Sequence, residues 1–254
     1  GGTTKSEGNL KIVIGNSNFG HNCSSLRPHS GKWYGEFKCV TKGRSEVGIQ
    51  HTEFMPENSA TARLTAPTDG SLAGLMWYAN DGKLLKDSSN NNDVTLNTYD
   101  DDDIIGIALD LDTPKVSFFK NGSAETNGTN IPLPHGRYCM VAGDGATGYG
   151  GAWIANFGQN PSFSGTITAA ANTDGSGSLF KYTPPTGFKG LMQDNLPTTE
   201  KGVIDFVWIK NRDAADDHQL YDSNRGAQKM VECNQNVAEE TDSDGLQKFL
   251  NGGC

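Results

Sequence analysis

Hydrophobic and polar residues alternate between Gly31 and Val40 with a period of two. The two alternating sets are Trp33, Gly35, Phe37 and Cys39, and Lys32, Tyr34, Glu36 and Lys38. In a β-strand, successive side chains point to opposite faces of the sheet, so each set occupies one face. We predict a strand with one face in the core and the other face half exposed.

A second pair of strands is predicted between Ile104 and Lys120. Ile104–Leu109 is almost continuously apolar, which is typical of a strand covered on both faces. A turn at Asp112–Pro114 leads into a returning strand at Val116–Lys120, and Asn121-Gly122 favours the positive φ of a second turn. The predicted core residues are Trp33, Phe37, Ile105, Ile107, Leu109 and Phe118.

Turn signals separate several further short strands. These strands are predicted at Leu10–Ile14, Glu46–Gln50, Leu75–Ala79, Lys83–Leu85, Tyr138–Ala142 and Ala152–Phe157. Asn80-Asp81-Gly82 is a strong hairpin signal, while Asn16–Ser30 and His51–Ser71 are polar and predicted to be loops. Because about nine strands follow one another at hairpin spacing and long amphipathic helical patterns are nearly absent, the sequence predicts an all-β fold, a two-sheet antiparallel β-sandwich.

The composition changes after residue 157 and again near Pro197. Residues 158–178 are rich in Ser, Thr, Gly and Ala, and Lys181–Phe188 is an extended, proline-containing segment predicted to close the first domain. We therefore predict a sandwich domain over residues 1–197 and a smaller, partial β-rich module over residues 198–254.

The second module is predicted to begin with a buried strand, Ile204–Ile209, which Gln219–Asp222 would pair with. The sequence starts without Met and ends on Cys254. We expect it to be a piece of a longer polypeptide, with the second module truncated.

Charge and cysteine content restrict the classes of partner. The chain of 254 residues has a formal net charge of −9 and no stripe of Lys and Arg, which argues against a nucleic-acid partner. No apolar run approaches the roughly 20 residues of a membrane span, so no membrane insertion is expected. The five cysteines are odd in number and lack CxxC spacing, which fits neither a disulfide framework nor a zinc site. Cys39 and Cys139 are predicted to be core residues of a protein made in a reducing cytoplasm.

Two acidic stretches carry the oxygen ligands that calcium prefers. Asp100–Asp103 is a run of four carboxylates, for which a solvated turn beside a strand edge is the alternative. Glu240–Gly245 resembles a calcium loop, but Asn251 stands where the twelfth-position glutamate is required. We therefore predict no metal site and no cofactor.

No set of nucleophile, base and acid is evident for catalysis. The histidines at positions 21, 29, 51, 135 and 218 lie in stretches predicted to be loops, and neither a GxSxG elbow nor an HExxH motif is present. The paired carboxylates of a glycosidase are recognised by a separation of roughly 5–9.5 Å, which a sequence does not reveal. We predict a non-enzymatic protein without catalytic residues, with a virion-associated glycan depolymerase as the alternative.

Five residues in predicted turns and loops are candidates for ligand contact. Tyr78, Asn80 and Asp81 lie at a hairpin tip, where plain turn chemistry is the alternative. Tyr149 lies in a glycine-rich loop and Trp153 follows it. Exposed aromatic residues dominate many binding surfaces, although Trp153 is equally compatible with a place in the core.

The order of these strands and turns resembles the SPRY family. The matching marks are Gly31-Lys32-Trp33-Tyr34 with Glu36, Val47-Gly48-Ile49, Trp77-Tyr78 before Asp81-Gly82, Asp103-Ile104-Ile105-Gly106 with Ala108-Leu109-Asp110, Phe118-Phe119-Lys120-Asn121-Gly122, and Asn156-Phe157-Gly158. The resemblance implies a bent β-sandwich of the concanavalin-like jelly-roll type, whose loops bind protein or peptide partners. The family usually has Gly before Asp103, where this chain has Asp102, so we expect a wider or more charged turn there.

The later part of the chain is similar to modules of tail-fibre and related structural proteins of tailed bacteriophages. The residues that carry this likeness are Phe180–Phe188, Asp194–Pro197, Asp205–Lys210, Leu220–Ser223 and Arg225-Gly226. The resemblance implies a structural protein of the virion, in a tail fibre or spike, made in the bacterial host cytoplasm. The connection Thr198–Val203 is shorter than is usual in such modules.

Together these observations predict a structural and binding module of a phage virion. Its loops would contact a host surface glycan or protein, or a neighbouring virion protein. Several copies per particle would raise avidity, and a homo-oligomer such as a trimer is expected. A cellular SPRY adaptor that recognises a peptide is a further alternative, which the phage-like closing segment disfavours.

Overall fold

The computed structural model describes residues 3–15, 20–54, 72–86, 94–145, 148–170, 172–197, 206–247 and 249. Within these ranges the chain is all-β, with three short 3-10 helices and no α-helix. None of the described helices is long and apolar enough to cross a membrane. The chain packs into two compact units, residues 1–195 and residues 196–254. The predicted loop at His51–Ser71 lies largely outside the described residues.

The described residues of the first unit form sixteen short strands. They are β1 (Thr3–Ser6), β2 (Lys11–Ile14), β3 (Gly20–Cys23), β4 (Lys32–Thr41), β5 (Ser45–His51), β6 (Gly74–Tyr78), β7 (Leu84–Leu85), β8 (Ile104–Asp110), β9 (Lys115–Lys120), β10 (Ser123–Ala124), β11 (Ile131–Pro132), β12 (Tyr138–Asp144), β13 (Gly151–Asn156), β14 (Asn172–Thr173), β15 (Leu179–Phe180) and β16 (Lys189–Gly190). The short 3-10 helices are Thr52–Phe54, Thr126–Gly128 and Gln193–Asn195.

Two large sheets form the layers of a β-sandwich, which confirms the predicted fold class. One sheet has the strand order β1-β2-β13-β4-β8-β9-β10, with β11 also paired to β9 and β16 to β4. The other has the order β3-β12-β5-β6-β7, and β14 and β15 form a small separate pair. The described pairings are antiparallel except for that of β16 with β4. The last residue pair between β13 and β4 is Asn156–Glu36. Beyond it, the edge of β4 at Trp33 and Tyr34 is not paired with β13, and β16 pairs there instead.

The core between the two sheets contains every residue of the predicted set. Trp33, Phe37, Ile105, Ile107, Leu109 and Phe118 are all buried. The second sheet contributes Val47 and Ile49 from β5. At roughly 1.5–3 kcal/mol for each fully buried large apolar side chain, this shared interior is the main stabilising feature of the unit.

The outer face of β4 is also buried, so the prediction of a half-exposed face is wrong. Tyr34, Glu36 and Lys38 are each at most 3% exposed. The closing segment, defined here as residues 172–191, lies over this face, and the Phe180 ring packs edge-to-face on Tyr34 with centroids 5.0 Å apart. Polar residues are tolerated there because each finds a specific partner, as Glu36 does in the backbone N–H of Lys181 at 2.8 Å.

Strand β3 lies within the stretch that was predicted to be a loop. Its residues Gly20–Cys23 pair with β12, although they are too polar and too few to show a strand pattern. His21 in β3 contacts Glu46 of β5, with Nε2 2.9 Å from Oε2. His51 likewise lies in a strand, at the end of β5, so these two histidines are not loop residues.

The four-aspartate turn before β8 is held by lysines. The ion pairs are Asp102–Lys38, Asp100–Lys42 at 2.8 Å, and Asp103–Lys120 at 3.0 Å. Asp102 has a φ of 68°, the left-handed conformation in which glycine is favoured. The expected charged turn is confirmed. Its carboxylates form ion pairs with lysines of β4, of the β4–β5 turn and of β9, and these pairs connect the turn to neighbouring parts of the chain.

The second unit is a four-stranded sheet in the order β17 (Phe206–Ile209), β18 (Gln219–Asp222), β19 (Lys229–Glu232) and β20 (Glu240–Thr241). The predicted pairing of β17 with β18 is confirmed. The predicted burial of the first strand is wrong for its described residues, since Phe206 and Trp208 are 58% and 61% exposed. Strand β17 is an edge strand, whereas Tyr221 on β18 and Met230 on β19 are buried.

Candidate binding surface

Three strand connections meet at one end of the sandwich. The β4–β5 turn, the β6–β7 hairpin tip and the β12–β13 loop lie together because Ser45 pairs with Asp144 and Glu46 pairs with Tyr78. These connections carry Arg44, Tyr78, Asn80, Asp81 and Tyr149, a set that we call the loop surface. Four of its five members are residues that the sequence predicts as ligand contacts.

Arg44 and Tyr149 form the centre of the loop surface. The guanidinium carbon of Arg44 lies 4.4 Å from the centroid of the Tyr149 ring, and its Nη2 lies 3.5 Å from the Tyr149 hydroxyl. Tyr149 is 46% exposed. Tyr78 and, to a smaller extent, Tyr149 raise the pKa of Arg44 above its ordinary value. A partly exposed cation held against an aromatic face can bind a carboxylate, a hydroxyl or a backbone carbonyl.

Glycine in the β4–β5 turn allows this arrangement. Gly43 has a φ of +47°, and a Cβ atom there would lie 1.8 Å from the carbonyl oxygen of Gly150. The turn therefore packs directly on the β12–β13 loop, and the N–H of Gly145 donates to the Arg44 carbonyl at 2.9 Å. Any side chain at Gly43 would separate the turn from the loop that carries Tyr149.

Tyr99 supports the loop surface from below. Its hydroxyl lies 2.9 Å from the Ser45 carbonyl oxygen and 3.0 Å from that of Trp77, so it links the start of β5 to β6. The Tyr99 ring is fully buried and packs on the rings of Trp77 and Trp153 with centroids 5.3 Å and 5.6 Å away. The backbone that presents Arg44 and Tyr78 is thus anchored in the core.

The hairpin tip combines turn chemistry with exposure. The Asp81 carboxylate accepts the N–H of Lys83 at 3.1 Å and forms an ion pair with its Nζ, also at 3.1 Å. Gly82 follows with a φ of +73°, as the hairpin signal predicts. The structure confirms the turn chemistry of this tip. Asp81 and Asn80 are exposed and Tyr78 is half-buried, so ligand contact by these residues stays a prediction.

Trp153 is a core residue, so its interpretation as an exposed aromatic anchor is wrong. The side chain is 1% exposed, and its indole N–H donates to the Gly143 carbonyl at 3.1 Å. It lies on β13 beneath the loop that carries Tyr149. The indole can be buried because its single polar group is bonded there.

Sequence reasoning missed Arg44 and Tyr99. Arg44 could have been found from Lys42-Gly43-Arg44, a short basic turn between two predicted strands. Tyr99 had no signal, because it lies in an irregular stretch and its role depends on carbonyl groups of two distant strands.

The described residues show how the acidic and histidine side chains are used. His21 pairs with Glu46, and Glu36 binds backbone N–H groups of the closing segment. Among these residues no group of three or more His, Cys, Asp or Glu side chains could hold a metal ion. The chemistry that the loop surface offers is hydrogen bonding, ion pairing and aromatic contact.

Comparison with known proteins gives one family model and several similar solved structures. A family model described as a domain of unknown function, DUF7483, matches residues 181–254. No curated protein matches this sequence. The solved SPRY domain of human HERC1 is similar at 18% identity and a TM-score of 0.49, over 60% of this chain and 91% of that chain. A second human SPRY domain structure is similar at 19% identity and a TM-score of 0.45, over 60% of this chain and 93% of that chain.

Proposed function

We propose that the first unit is a non-enzymatic binding module that engages its partner through the loop surface. The observation that carries this proposal is the Arg44–Tyr149 stack at the end of the sandwich, in which Tyr149 is exposed and Arg44 is half-buried. Tyrosine and arginine are among the residue types enriched at the energetically dominant positions of interfaces. Exposed neighbours such as Asn80 and Asp81 provide the polar rim that surrounds such a centre.

The rigidity of the loop surface favours binding. Gly43 packs against Gly150, and Tyr99 joins two strands beneath the turns, so the described backbone has little freedom to lose. Association is weakened by the ordering of loops and side chains, at roughly 0.5–1.5 kcal/mol for each immobilised side chain. A surface that is already ordered avoids much of this cost.

We further propose that the module belongs to a phage virion, in a tail fibre or spike. Support comes from the sequence similarity of Phe180–Phe188 and Asp205–Lys210 to modules of such proteins. The partner would be a host surface glycan or protein, or a neighbouring virion protein. A homo-oligomer, for example a trimer, would present several loop surfaces together and raise the avidity of weak contacts.

Binding of the full chain to immobilised glycans, host cell surfaces and purified virion components tests this function. We expect the wild-type chain to bind one of these partners, and the Arg44→Ala and Tyr149→Ala variants to bind it at least about tenfold more weakly. Arg27→Ala is the matched control, because Arg27 is an exposed arginine in the β3–β4 connection at the opposite end of the sandwich.

Each outcome decides between alternatives. Equal binding by Arg44→Ala and the wild type would exclude the loop surface as the binding site. Tight binding to a virion component without binding to any host surface would assign the module to virion architecture. Release of shorter products from a bound glycan would overturn the non-enzymatic assignment.

A further inference from the structure

Two free cysteines lie next to each other on the second sheet. Cys23 is on β3 and Cys139 is on β12, and these strands are antiparallel neighbours. Cys23 pairs with Val141, so Cys139 is its diagonal neighbour, two residues along β12. Residues two apart on a strand point to the same face, so both thiols belong to one face of the sheet.

The two sulfur atoms share their surroundings. Cys23 Sγ lies 3.9 Å from Oε1 of Gln50, and Cys139 Sγ lies 3.7 Å from the backbone carbonyl oxygen of the same residue. Both cysteines also belong to one apolar cluster, which includes Val141 and Met76. Diagonal neighbours are about 7–8 Å apart at their Cα atoms. The side chains nevertheless meet, because the Cys139 thiol hydrogen-bonds to the sulfur of Cys23.

The two thiols differ in accessibility. Cys139 is completely buried, whereas Cys23 is partly exposed. Cys23 also lies on β3, which is the edge strand of its sheet in the described strand order. A small reagent therefore reaches the pair from the side of Cys23.

The two thiols also differ in acidity. Hydrogen bonding from Cys139 lowers the pKa of Cys23 against the opposing effect of burial. Three basic side chains lower it further, namely His21, Arg27 and Lys5. The pKa of Cys139 is raised by its hydrogen bond to Cys23 and by burial. Because the thiolate is the nucleophilic form, Cys23 is the thiol that reacts first and Cys139 is the thiol that keeps its proton.

We propose that Cys23 and Cys139 form an oxidation site at which a hydroperoxide converts two thiols into a disulfide. The site goes beyond the loop surface and does not depend on it. The combination that carries the proposal is an accessible cysteine on an edge strand in contact with a buried cysteine on the neighbouring strand. A redox-sensitive cysteine is commonly placed beside a second cysteine of this kind.

The reaction proceeds in two steps. First, the Cys23 thiolate attacks one oxygen of the hydroperoxide, the O–O bond breaks, and the departing oxygen takes a proton from water. Cys23 then carries a sulfenic acid. Second, the Cys139 sulfur attacks the Cys23 sulfur, the S–O bond breaks, and the Cys139 proton leaves with the hydroxyl group as water. The two electrons lost by the thiols reduce the hydroperoxide.

The disulfide would fasten the edge strand β3 to β12. Edge strands carry unpaired backbone groups, which makes them sites of unwanted pairing with other chains. Thiols stay reduced in the cytoplasm, and disulfides persist outside it. The chain therefore folds without this crosslink and gains it when the protein meets an oxidising medium.

Peroxide treatment of the reduced full chain tests the proposal. Remaining thiols are blocked with N-ethylmaleimide at intervals, and mass spectrometry after digestion without reductant identifies linked peptides. We expect a Cys23–Cys139 peptide whose mass is lower than that of the two separate peptides by the two thiol hydrogens. Cys39 is the matched control, because it is also completely buried but should be oxidised at least about tenfold more slowly than Cys139.

Substitutions separate the roles of the two thiols. Cys139→Ser should leave Cys23 as a sulfenic acid, which dimedone traps at least about tenfold more than in the wild type, where the second step consumes it. Cys23→Ser should form no disulfide at Cys139 and leave that buried thiol reduced. Cys139→Ala repeats the first variant without a buried hydroxyl, and thermal unfolding verifies that each variant is folded.

Three results would overturn the proposal. They are the absence of the Cys23–Cys139 peptide after peroxide treatment of the native wild type, its formation only in denaturant, and no increase of trapped sulfenic acid on Cys23 in either folded Cys139 variant. Failure of the loop surface is recognised separately, because Arg44→Ala changes partner binding and leaves the formation of this disulfide intact.

Discussion

Glu36 is the residue on which the closing segment depends. It has no solvent exposure, and its two carboxylate oxygens accept the backbone N–H groups of Lys181 and Tyr182, each at 2.8 Å. Asn156 adds a third donor at 3.2 Å. Burial nevertheless dominates and raises the pKa of Glu36 above its ordinary range, although these hydrogen bonds act to lower it.

We expect Glu36→Gln to destabilise the first unit by about 1–3 kcal/mol. The carboxamide keeps the shape of the side chain but has one oxygen, so its NH2 group would face the N–H of Lys181 or Tyr182 and leave that donor unpaired. Urea unfolding of the full chain measures the change. Gln159→Glu, an exposed change of the same size in the opposite direction, is the control and should change stability little.

The raised pKa of Glu36 also predicts how the stability difference depends on pH. A carboxyl whose pKa is higher in the folded state holds its proton more tightly there, so its contribution is full at acid pH and falls as pH rises through the raised pKa. The difference in unfolding free energy between wild type and Glu36→Gln should therefore narrow as the pH rises above about 4, the ordinary range of a glutamate. A gap that widens with pH would mean that the hydrogen bonds outweigh burial.

Asp102 combines an unfavourable backbone conformation with a useful charge. Its left-handed φ of 68° favours glycine, yet its carboxylate is the ion-pair partner of Lys38, whose side chain is 4% exposed. Loss of a partner for a nearly buried cation costs more than the roughly 1 kcal/mol gained from a relaxed backbone.

We therefore expect Asp102→Gly to lower the free energy of unfolding by about 1–2 kcal/mol despite the relaxed turn. Lys38→Met, which removes the buried charge, should restore stability when combined with it. A double-mutant cycle in urea measures this coupling. Additive effects of the two substitutions would show that the Lys38 charge does not require Asp102.

At the scale of elements, the closing segment acts as an additional layer on the outer face of the β4 sheet. Phe180 at its centre is fully buried against Tyr34 and Ala108, and β16 continues the segment as a parallel neighbour of β4. The segment also contributes Tyr182, which packs against Ile104 of the same sheet and Phe163 of the connection that follows β13. The first unit is therefore a sandwich whose outer face is itself covered.

Phe180→Ala should destabilise the first unit by about 3–4 kcal/mol, the effect of a large cavity at a buried aromatic position. Leu179→Ala is the control, because the preceding residue on the same strand is 38% exposed and should change stability by less than about 1 kcal/mol. Equal effects of the two substitutions would show that the segment does not pack tightly on the sheet.

At the scale of the molecule, burial separates the cysteines by reactivity. Cys39 and Cys139 are core residues, as the sequence predicts, whereas Cys233 in the second unit is exposed. Burial raises the pKa of Cys39 to about 12, and hydrogen bonding to Cys23 together with burial raises that of Cys139 further. A thiol must be accessible and deprotonated to react.

In the native protein, a hydrophilic disulfide reagent should modify Cys233 at least about tenfold faster than Cys39 or Cys139. All three should react at similar rates in denaturant, where burial no longer protects them. Mass spectrometry of digested protein assigns the modified residues. Rapid native modification of Cys39 would contradict the packing of β4 in the core.

The sequence by itself determined which residues form the main strands and which face the core. Alternation in β4, the apolar run of β8 and the turn at Asn121-Gly122 are local signals, because strand geometry imposes a period of two and tight turns require positive φ. The sequence also indicated four residues of the loop surface, Tyr78, Asn80, Asp81 and Tyr149. Turns and loops between predicted strands are local signals as well.

Only the tertiary structure decided what covers the polar faces and which loops meet. The alternating pattern shows only that Glu36 is polar. Its burial depends on contact with the backbone of Lys181, which lies 145 residues later in the chain. Arg44 and Tyr149 are 105 residues apart and meet because sheet register and the bare backbone at Gly43 bring their loops together. Local patterns specify the conformation of a segment, whereas burial and site geometry arise from contacts between segments that are distant along the chain.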